Sequence, residues 1–191
     1  MSDPLAQFSE WYEHAVAAGV TEPEAMALAT ATTDGVPSAR FVLLKAIDAR
    51  GVEFFTNYES RKAGELIANP RAALAVLWKP LQRQVRLEGP VEQLSAEESD
   101  AYFASRARVS QHGAWASAQS RPIPDREWLE ARVEAFDQQY PDVVPRPPHW
   151  GGFLLRPDAI EFWEGRPNRL HDRESFTRGA DGAWHAKRLS P

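Results

Sequence analysis

The spacing of apolar residues predicts a chain of short strands with helices between them and at one end. Apolar positions at helical spacing, or capping residues at the ends, indicate helices at 4–19, 60–69, 95–106 and 125–140. Apolar runs bounded by turn residues indicate strands at 26–32, 40–47, 52–56, 71–78, 82–91, 153–155, 160–164, 170–177 and 183–189. This order predicts an α+β fold built around an antiparallel barrel. Without a repeat or a linker, we expect one domain over residues 1–191, with an N-terminal helix in 1–20 and a C-terminal meander in 141–191.

Charged residues stand at unusual places in the segment 40–62. Its first apolar run carries cations at Arg40 and Lys45 and leads into a predicted hairpin. The helix that follows has Arg61 and Lys62 in its first turn, where cations oppose the helix dipole. A bound phosphate would reverse this effect and would accept hydrogen bonds from the free N–H groups of the helix. The plain alternative is that both side chains point into solvent.

Two more polar groups stand out farther along the chain. In the strand predicted at 82–91, Gln84 lies on the polar face, for which solvent exposure is the simpler explanation. The helix that opens with a capping box at Ser95 runs into a basic tail over 106–115. The helix dipole alone could explain cations at such a C-terminal end.

A last cationic group falls in the segment 169–173. If this segment is a strand, Arg169, His171 and Arg173 lie on one face, because alternate residues point the same way. Such close positive charges repel one another unless an anion is bound. The alternative is an exposed edge strand whose charges prevent aggregation.

Composition and charge limit what these clusters can bind. The chain has 191 residues, 43% apolar and 26% charged, as in a soluble globular protein. The net charge of −5 argues against a general polyanion binder, so the basic clusters would serve small anions. The lack of cysteine excludes disulfides, thiolate metal sites and thiol nucleophiles, so redox chemistry would need a cofactor. Neither an apolar segment of about 20 residues nor a signal-peptide pattern is present, so we expect a cytoplasmic protein.

Several motifs, in their order along the chain, carry a specific resemblance. They are Arg40-Phe41-Val42-Leu43-Leu44-Lys45, Phe55-Thr56-Asn57 with Ser60-Arg61-Lys62, Arg83-Gln84-Val85-Arg86-Leu87-Glu88-Gly89, Tyr102-Phe103 with Ser105-Arg106, Ser110-Gln111 with Gly113-Ala114-Trp115, Gln119-Ser120, Trp150-Gly151-Gly152, Ile160-Glu161-Phe162-Trp163, Arg169-Leu170-His171-Asp172-Arg173 and Arg188-Leu189-Ser190-Pro191. Together they resemble the pyridoxamine 5′-phosphate oxidase family, from about Pro4 to the end of the chain. Any one motif is a weak signal, whereas this number of motifs in this order is a specific one.

The resemblance implies a fold, an assembly and a reaction. The fold would be an FMN-binding split β-barrel, and two chains would form a homodimer with one FMN in each of two sites between the subunits. The reaction would oxidise pyridoxamine or pyridoxine 5′-phosphate to pyridoxal 5′-phosphate, with O2 as electron acceptor and H2O2 as product. The flavin would take a hydride from the substrate while the protein positions and polarises it. No metal, nucleic acid or membrane is implied as a partner.

The resemblance also assigns residues to the site. FMN would be held by Arg40, Phe41, Val42, Leu43, Leu44, Lys45, Phe55, Thr56, Arg61, Lys62, Gln84, Gln119, Ser120, Trp163 and Arg173. Substrate would be held by Lys45, Tyr102, Arg106, Ser110, Arg169, Leu170 and His171. Of these, Arg169 and His171 would lie next to the reacting ring. The planar donors of Arg169 would hold the substrate over the flavin, and His171 could handle protons there.

Two considerations bear on how far the resemblance reaches. The family often has a longer basic N-terminal segment that closes over the substrate, whereas the first helix here is predicted to begin at Pro4, so we expect lid closure to differ. Rival functions are a related split-barrel flavin enzyme with another substrate and a non-catalytic protein that binds FMN or pyridoxal phosphate. The segment 169–171 favours the oxidase, because a different substrate would not need those side chains.

Overall fold

The computed structural model describes residues 3–191, so Met1 and Ser2 lie outside it. Within residues 3–191 the chain forms five α-helices, ten strands and two short 3-10 turns. The helices are α1 (Pro4–Ala17), α2 (Arg61–Ala68), α3 (Ala96–Ser105), α4 (Arg108–Ala116) and α5 (Arg126–Gln139). The strands are β1 (Ala25–Ala31), β2 (Pro37–Leu43), β3 (Ala46–Asp48), β4 (Gly51–Asn57), β5 (Arg71–Trp78), β6 (Arg83–Gln93), β7 (Trp150–Leu155), β8 (Ala159–Glu164), β9 (Asp172–Arg178) and β10 (Trp184–Arg188). None of these helices is long and apolar enough to span a membrane.

The strands join one antiparallel sheet that curls around a core. Its main order is β10-β9-β8-β6-β5-β1-β2, while β7 pairs with β6 and β4, and β4 pairs with β3. The long strand β6 causes the curl, because Arg83–Glu88 pairs with β8 whereas Val91–Gln93 pairs with β7. The prediction of an α+β fold with antiparallel strands and flanking helices is confirmed.

The period-two pattern of the strands determines which face is buried. In β1, Met26 and Leu28 are fully buried, whereas Ala29 on the opposite face is exposed. Helix α1 covers the inner face through Phe8, whose ring stacks on that of Trp78 with 6.1 Å between centroids. Burial of one such large apolar side chain contributes about 1.5–3 kcal/mol to stability. On the opposite face of these strands, residues such as Ala29 and Phe41 are exposed, and no helix among residues 3–191 covers them.

The predicted strand 40–47 is divided into β2 and β3. The break lies at Leu44 and Lys45, whose N–H groups donate to Glu24 O at 2.8 Å and to Glu53 O at 3.0 Å. The chain thereby leaves its pairing with β1 and joins β4. The prediction of one continuous strand is wrong because a change of partner, which is a tertiary event, interrupts a run that is locally uniform.

The basic segment 106–115 is not the tail of the preceding helix. Helix α3 ends at Ser105, the backbone at Arg106 is extended, and α4 begins at Arg108. The Gln111 Nε2 atom donates to Phe103 O at 2.9 Å and so ties the two helices together. The explanation by the dipole of a single helix therefore holds only for Arg106, the C-cap of α3, and is wrong for Arg108, which stands in the first turn of a new helix.

The segment 169–173 is not a continuous strand. Asn168 and Arg169 form part of a 3-10 turn with φ of 59° and 62°, and β9 begins only at Asp172. Arg169 and His171 therefore do not alternate with Arg173 along a strand. The prediction that these three side chains share one strand face is wrong, because Arg169 and His171 lie before the first residue of the strand.

Candidate functional site

The largest group of predicted site residues lines a cavity of about 480 Å³ between β2, β4 and helices α3 and α4. Its walls are formed by Phe41, Val42, Leu43, Lys45, Phe55, Thr56, Asn57, Lys62, Tyr102, Arg106, Ala107, Ser110, Gln119 and Trp150. Two lysines and one arginine contribute positive charge, and none of these lining residues is acidic. A cavity of this charge fits an anionic ligand.

Stacked aromatic rings form one wall of the cavity. The Phe55 ring lies 3.9 Å from that of Tyr102 and 5.4 Å from that of Trp150, measured between centroids. Gly152 permits this approach, because a Cβ at that position would lie 2.7 Å from the Phe55 ring. The wall is flat and apolar, so it suits a planar ring system.

Arg106 lies at the junction of α3 and α4 with its guanidinium against this wall. Its Cζ is 4.6 Å from the centroid of the Trp150 ring and 5.6 Å from that of Phe103. Burial lowers the pKa of Arg106. Its Nη1 atom is buried and has no hydrogen-bond partner among residues 3–191. Because an unpaired buried donor is costly, this atom fits an anionic acceptor supplied by a ligand.

Lys62 reaches the cavity from the first turn of α2. Its Nζ donates to Thr56 Oγ1 at 2.8 Å, to Gln119 Oε1 at 2.7 Å and to Ser60 Oγ at 3.3 Å. Burial, and then the charge of Arg40, lowers the pKa of Lys62 to about 8. The partners within the described chain are neutral oxygens, so an arriving anion would find the ammonium without a counter-charge.

Arg40 and Arg61 lie beside the cavity instead of on its walls. Both bond to Glu65, with 2.8 Å between Arg61 Nε and Glu65 Oε1 and 3.4 Å between Arg40 Nη2 and Glu65 Oε2. Ser120 is adjacent, since its Oγ accepts from the backbone N–H of Arg61 at 3.4 Å. Leu44 is 5% exposed and belongs to the core, so it would contribute only backbone atoms to a ligand site.

The remaining predicted residues form a second cluster on β6, β8 and β9. Gln84 is paired with Trp163, and Trp163 with Arg173, in neighbouring strands. The His171 ring lies 4.6 Å from that of Trp163. Arg173 is held by two hydrogen bonds to Glu161, of 2.9 and 3.1 Å. The structure thus brings these side chains together although the segment is not a single strand.

The two clusters are well separated within one chain. Arg169 and Leu170 are exposed at the end of the second cluster, with Leu170 at 68%. From β8 to β2 there are four strand-to-strand steps, which at about 4.8 Å each amount to roughly 19 Å along the sheet. The chain by itself therefore does not assemble all the predicted residues around one cavity.

Two residues that contribute to the site were not assigned to it by the sequence analysis. Trp150 supports Arg106 and the ring stack, and its only signal was an aromatic residue beside Gly151 and Gly152. Glu65 bonds two predicted cations, and its signal was the spacing of four residues from Arg61 on a predicted helix.

The chain is similar over most of its length to proteins of known family. Residues 12–140 match the family described as pyridoxamine 5′-phosphate oxidase, and residues 150–191 match the pyridoxine 5′-phosphate oxidase C-terminal dimerisation region. Relatives named pyridoxine/pyridoxamine 5′-phosphate oxidase include the protein of Cupriavidus necator, 58% identical over 189 residues, and that of Bordetella petrii, 57% identical over 190 residues. These alignments cover 99% and 100% of this chain and 89% and 90% of the two relatives.

Solved structures share the architecture. PhzG from Burkholderia lata, in complex with tetrahydrophenazine-1-carboxylic acid, has a TM-score of 0.95 and 35% identity, covering 100% of this chain and 94% of its own. A pyridoxamine 5′-phosphate oxidase-related, FMN-binding protein from Nostoc punctiforme has a TM-score of 0.81 and 19% identity, covering 100% of both chains. These neighbours confirm the predicted split-barrel fold. The chain is therefore a member of the pyridoxamine 5′-phosphate oxidase family.

Proposed function

We propose that the protein is an FMN-dependent oxidase that converts pyridoxine or pyridoxamine 5′-phosphate to pyridoxal 5′-phosphate while O2 is reduced to H2O2. It would thereby serve the synthesis and salvage of vitamin B6. The observation that carries the proposal is the cavity itself, where Lys45, Lys62 and Arg106 surround an aromatic wall and no lining residue is acidic. Both proposed ligands join a planar ring system to a phosphate, so they match this combination of surfaces.

The residues near α2 fit FMN. Arg61, Lys62 and the free N–H groups at the start of the helix would hold its phosphate. Gln119 and Thr56, which already bond the Lys62 ammonium, would add polar contacts. When bound, FMN supplies a two-electron acceptor that O2 reoxidises, a capacity that no side chain of a cysteine-free chain offers.

The residues near α3 and α4 fit the phosphate of the substrate. Lys45, Tyr102, Arg106 and Ser110 line one side of the cavity, as the family resemblance implies. Arg106 supports this assignment most strongly, because its buried Nη1 has no partner within the described chain. A phosphate would accept from this donor and would restore the balance of charge around it.

We further propose that two copies of this single-domain chain complete each site. The uncovered face of the sheet carries the small side chains of Ala27 and Ala75, which are paired in neighbouring strands. Phe41, the partner of Ala27 in β2, is 75% exposed, and Leu77, two residues after Ala75 in β5, is 60% exposed. Small side chains let a second sheet approach closely, and the apolar area is of the kind that an interface covers. Gln84 is the direct neighbour of Leu77 in β6, so the second cluster continues from this same face.

The match of residues 150–191 to a dimerisation region supports this assembly. A twofold arrangement places the same surface of both copies in contact, so the second cluster of one subunit would meet the cavity of its partner. The roughly 19 Å of sheet between the two clusters in one chain then separates two half-sites.

Within that assembly, Arg169 and His171 would act on the substrate ring. Arg169 would orient the ring through its planar donors. The His171 Nδ1 atom accepts a hydrogen bond from the backbone N–H of Arg166 at 3.1 Å, so in the neutral ring the proton is on Nε2. This tautomer presents a donor to a substrate oxygen or nitrogen and could return a proton there.

The test is turnover of defined substrates by the purified, FMN-loaded protein. With pyridoxine 5′-phosphate and O2 we expect aldehyde and H2O2 in equal amounts, and mass spectrometry of the released cofactor should give FMN. Tetrahydrophenazine-1-carboxylic acid, the ligand of PhzG, serves as the competing substrate. Bound FMN with no aldehyde from either vitamin B6 phosphate, or faster flavin reduction by the phenazine compound, would contradict the proposal.

A further inference from the structure

A buried carboxylate stands behind the proposed phosphate site of FMN. Glu65 is on α2, and 6% of its side chain is exposed. Its Oε2 accepts from Thr30 Oγ1, from Ser38 Oγ at 2.5 Å and from Arg40 Nη2 at 3.4 Å, and its Oε1 accepts from Arg61 Nε at 2.8 Å. Donors from β1, β2 and α2 therefore converge on one side chain.

The environment keeps Glu65 ionised. Burial alone would raise its pKa, but hydrogen bonds from Ser38, Thr30 and Arg61 and the charge of Arg61 outweigh burial and hold the pKa at about 2. The carboxylate is therefore a permanent acceptor at any pH at which the protein would be assayed. It offers its charge to two cations that the family resemblance places on FMN.

The two arginines differ in how much they depend on this acceptor. The Arg61 side chain is 61% exposed. Within residues 3–191 it forms one hydrogen bond, from its Nε to Glu65. Arg40 is 21% exposed and has further contacts, with Thr30 Oγ1 at 2.5 Å and Leu28 O at 3.3 Å. Without Glu65, Arg61 would lose its anchor and its long side chain would sample many rotamers, which a ligand would then have to order.

We propose that Glu65 is a positioning residue of the FMN phosphate site, which holds Arg61 and secondarily Arg40 in place before the ligand arrives and does not itself contact the ligand. The inference rests on the proposed FMN binding. Two effects of removing the carboxylate oppose each other: a lost negative charge favours a phosphate, whereas a lost anchor disfavours it. We expect the anchor effect to dominate, so that the Kd for FMN rises when the carboxylate is removed; a dominant charge effect would lower that Kd instead.

The purely structural alternative is that Glu65 only fastens α2 to the sheet through Thr30 and Ser38. In that case its removal would disturb the whole cavity without regard to the phosphate of the ligand. Riboflavin, which is FMN without the phosphate, separates the two interpretations. If Glu65 is a positioning residue, its removal should weaken the binding of FMN alone. If its role is structural, its removal should weaken the binding of both flavins.

The experiment is a fluorescence titration of apoprotein with FMN and with riboflavin. For Glu65→Gln, which keeps the shape of the side chain, we expect the Kd for FMN to rise about fivefold to tenfold and that for riboflavin to change by less than about twofold. Glu59→Gln is the matched control, because it removes the same charge from an exposed residue whose carboxylate forms no hydrogen bond within residues 3–191, where only its backbone N–H donates to Asn57. Its Kd for FMN should stay equal or become slightly lower.

A double-mutant cycle identifies the residue through which Glu65 acts. In an Arg61→Ala background, Glu65→Gln should raise the Kd for FMN by less than about twofold, because the side chain that it anchors is gone. If Glu65→Gln does not fold, Glu65→Asp takes its place, because it keeps the charge but withdraws it by one methylene. It should likewise raise the Kd for FMN and leave the Kd for riboflavin nearly unchanged.

Each other outcome has a definite meaning. Three results would overturn the positioning role and leave FMN binding by the wild type intact. They are equally weakened binding of both flavins, a Kd for FMN no different from that of Glu59→Gln, and failure of both Glu65 variants to fold. A wild-type protein that binds neither flavin would overturn the proposed function together with this inference.

Discussion

Lys62 should make FMN binding depend on pH. Its ammonium donates to neutral oxygens of Thr56 and Gln119, and burial together with the charge of Arg40 lowers its pKa to about 8. A phosphate next to this group would favour its charged form. Above the pKa, the free protein must therefore take up a proton when it binds FMN, and the affinity should fall as the pH rises.

The expected magnitude follows from the titration of one group. With a pKa of about 8, the charged fraction of Lys62 falls from about 0.9 at pH 7 to about 0.1 at pH 9. If the charged form is the one that binds phosphate, the Kd for FMN rises about tenfold over this range, which corresponds to about 1.4 kcal/mol.

The same pKa shift affects the stability of the apoprotein in the opposite direction, because stability should rise with pH whereas the affinity for FMN should fall. The pKa of Lys62 is depressed on folding, from the ordinary 10.5 to about 8. Between these two values the unfolded chain binds the extra proton, so the free energy of unfolding should rise with pH in that window. Below about pH 8 both states are charged, and this contribution no longer changes with pH.

The assay is a fluorescence titration with FMN at about pH 7, 8 and 9, with riboflavin as the ligand that lacks a phosphate. Lys62→Met should bind FMN weakly and without this pH dependence, and Lys62→Arg should keep a charge that does not titrate in the range. The same tenfold change in wild type and in Lys62→Arg would refute the assignment to Lys62. A matching pH dependence with riboflavin would refute it as well.

Three further predictions concern substrate, assembly and the aromatic wall. Arg169→Ala should leave FMN binding unchanged but lower kcat/KM for pyridoxine 5′-phosphate by roughly tenfold to a hundredfold, since a charge-assisted contact is worth about 1.5–3 kcal/mol; unchanged anaerobic flavin reduction in stopped flow would contradict this. Leu77→Asp, on the uncovered sheet face, should give a monomer that loses FMN, as seen by light scattering and absorbance, whereas Val143→Asp at another exposed position should remain a dimer. Trp150→Leu removes the ring under Arg106 and should raise KM by roughly twofold to thirtyfold, from the about 0.5–2 kcal/mol of a cation–π contact, while a lower Tm with unchanged KM would argue against a role in the site.

Local signals were sufficient for most elements and for the family. The alternation of polar and apolar residues predicted β6, the capping box at Ser95 predicted the start of α3, and Gly19 predicted the end of α1 to within two residues. These signals succeed because each depends on neighbours within one turn of helix or a few strand residues. The order of the short motifs identified the family because it depends only on the linear sequence.

Local signals failed where distant residues decide the backbone path. The break at Leu44 is set by backbone hydrogen bonds to Glu24 and to Glu53 of β4, and the junction at Arg106 is tied by the hydrogen bond from Gln111 to Phe103 O. The turn at Arg169 requires a positive φ, which is uncommon for this residue type and which no local pattern predicted. At these places the preference of each residue is weak, so tertiary contacts prevail.

The sequence by itself determined which residue types are present for binding phosphate and a planar ring, but only the tertiary structure decided their partners. Glu65 lies beside Arg40 because α2 packs over β1 and β2, and Trp150 lies beneath Arg106 because α3, which Arg106 follows, packs on β7. Likewise the two clusters are separate because β8 lies four strand-to-strand steps from β2 in the sheet. Strand order and helix packing bring together residues that are far apart along the chain. The physical cause is the burial of apolar side chains in a main core and in a smaller cluster around Phe103 and Trp150, which no local stretch of sequence specifies.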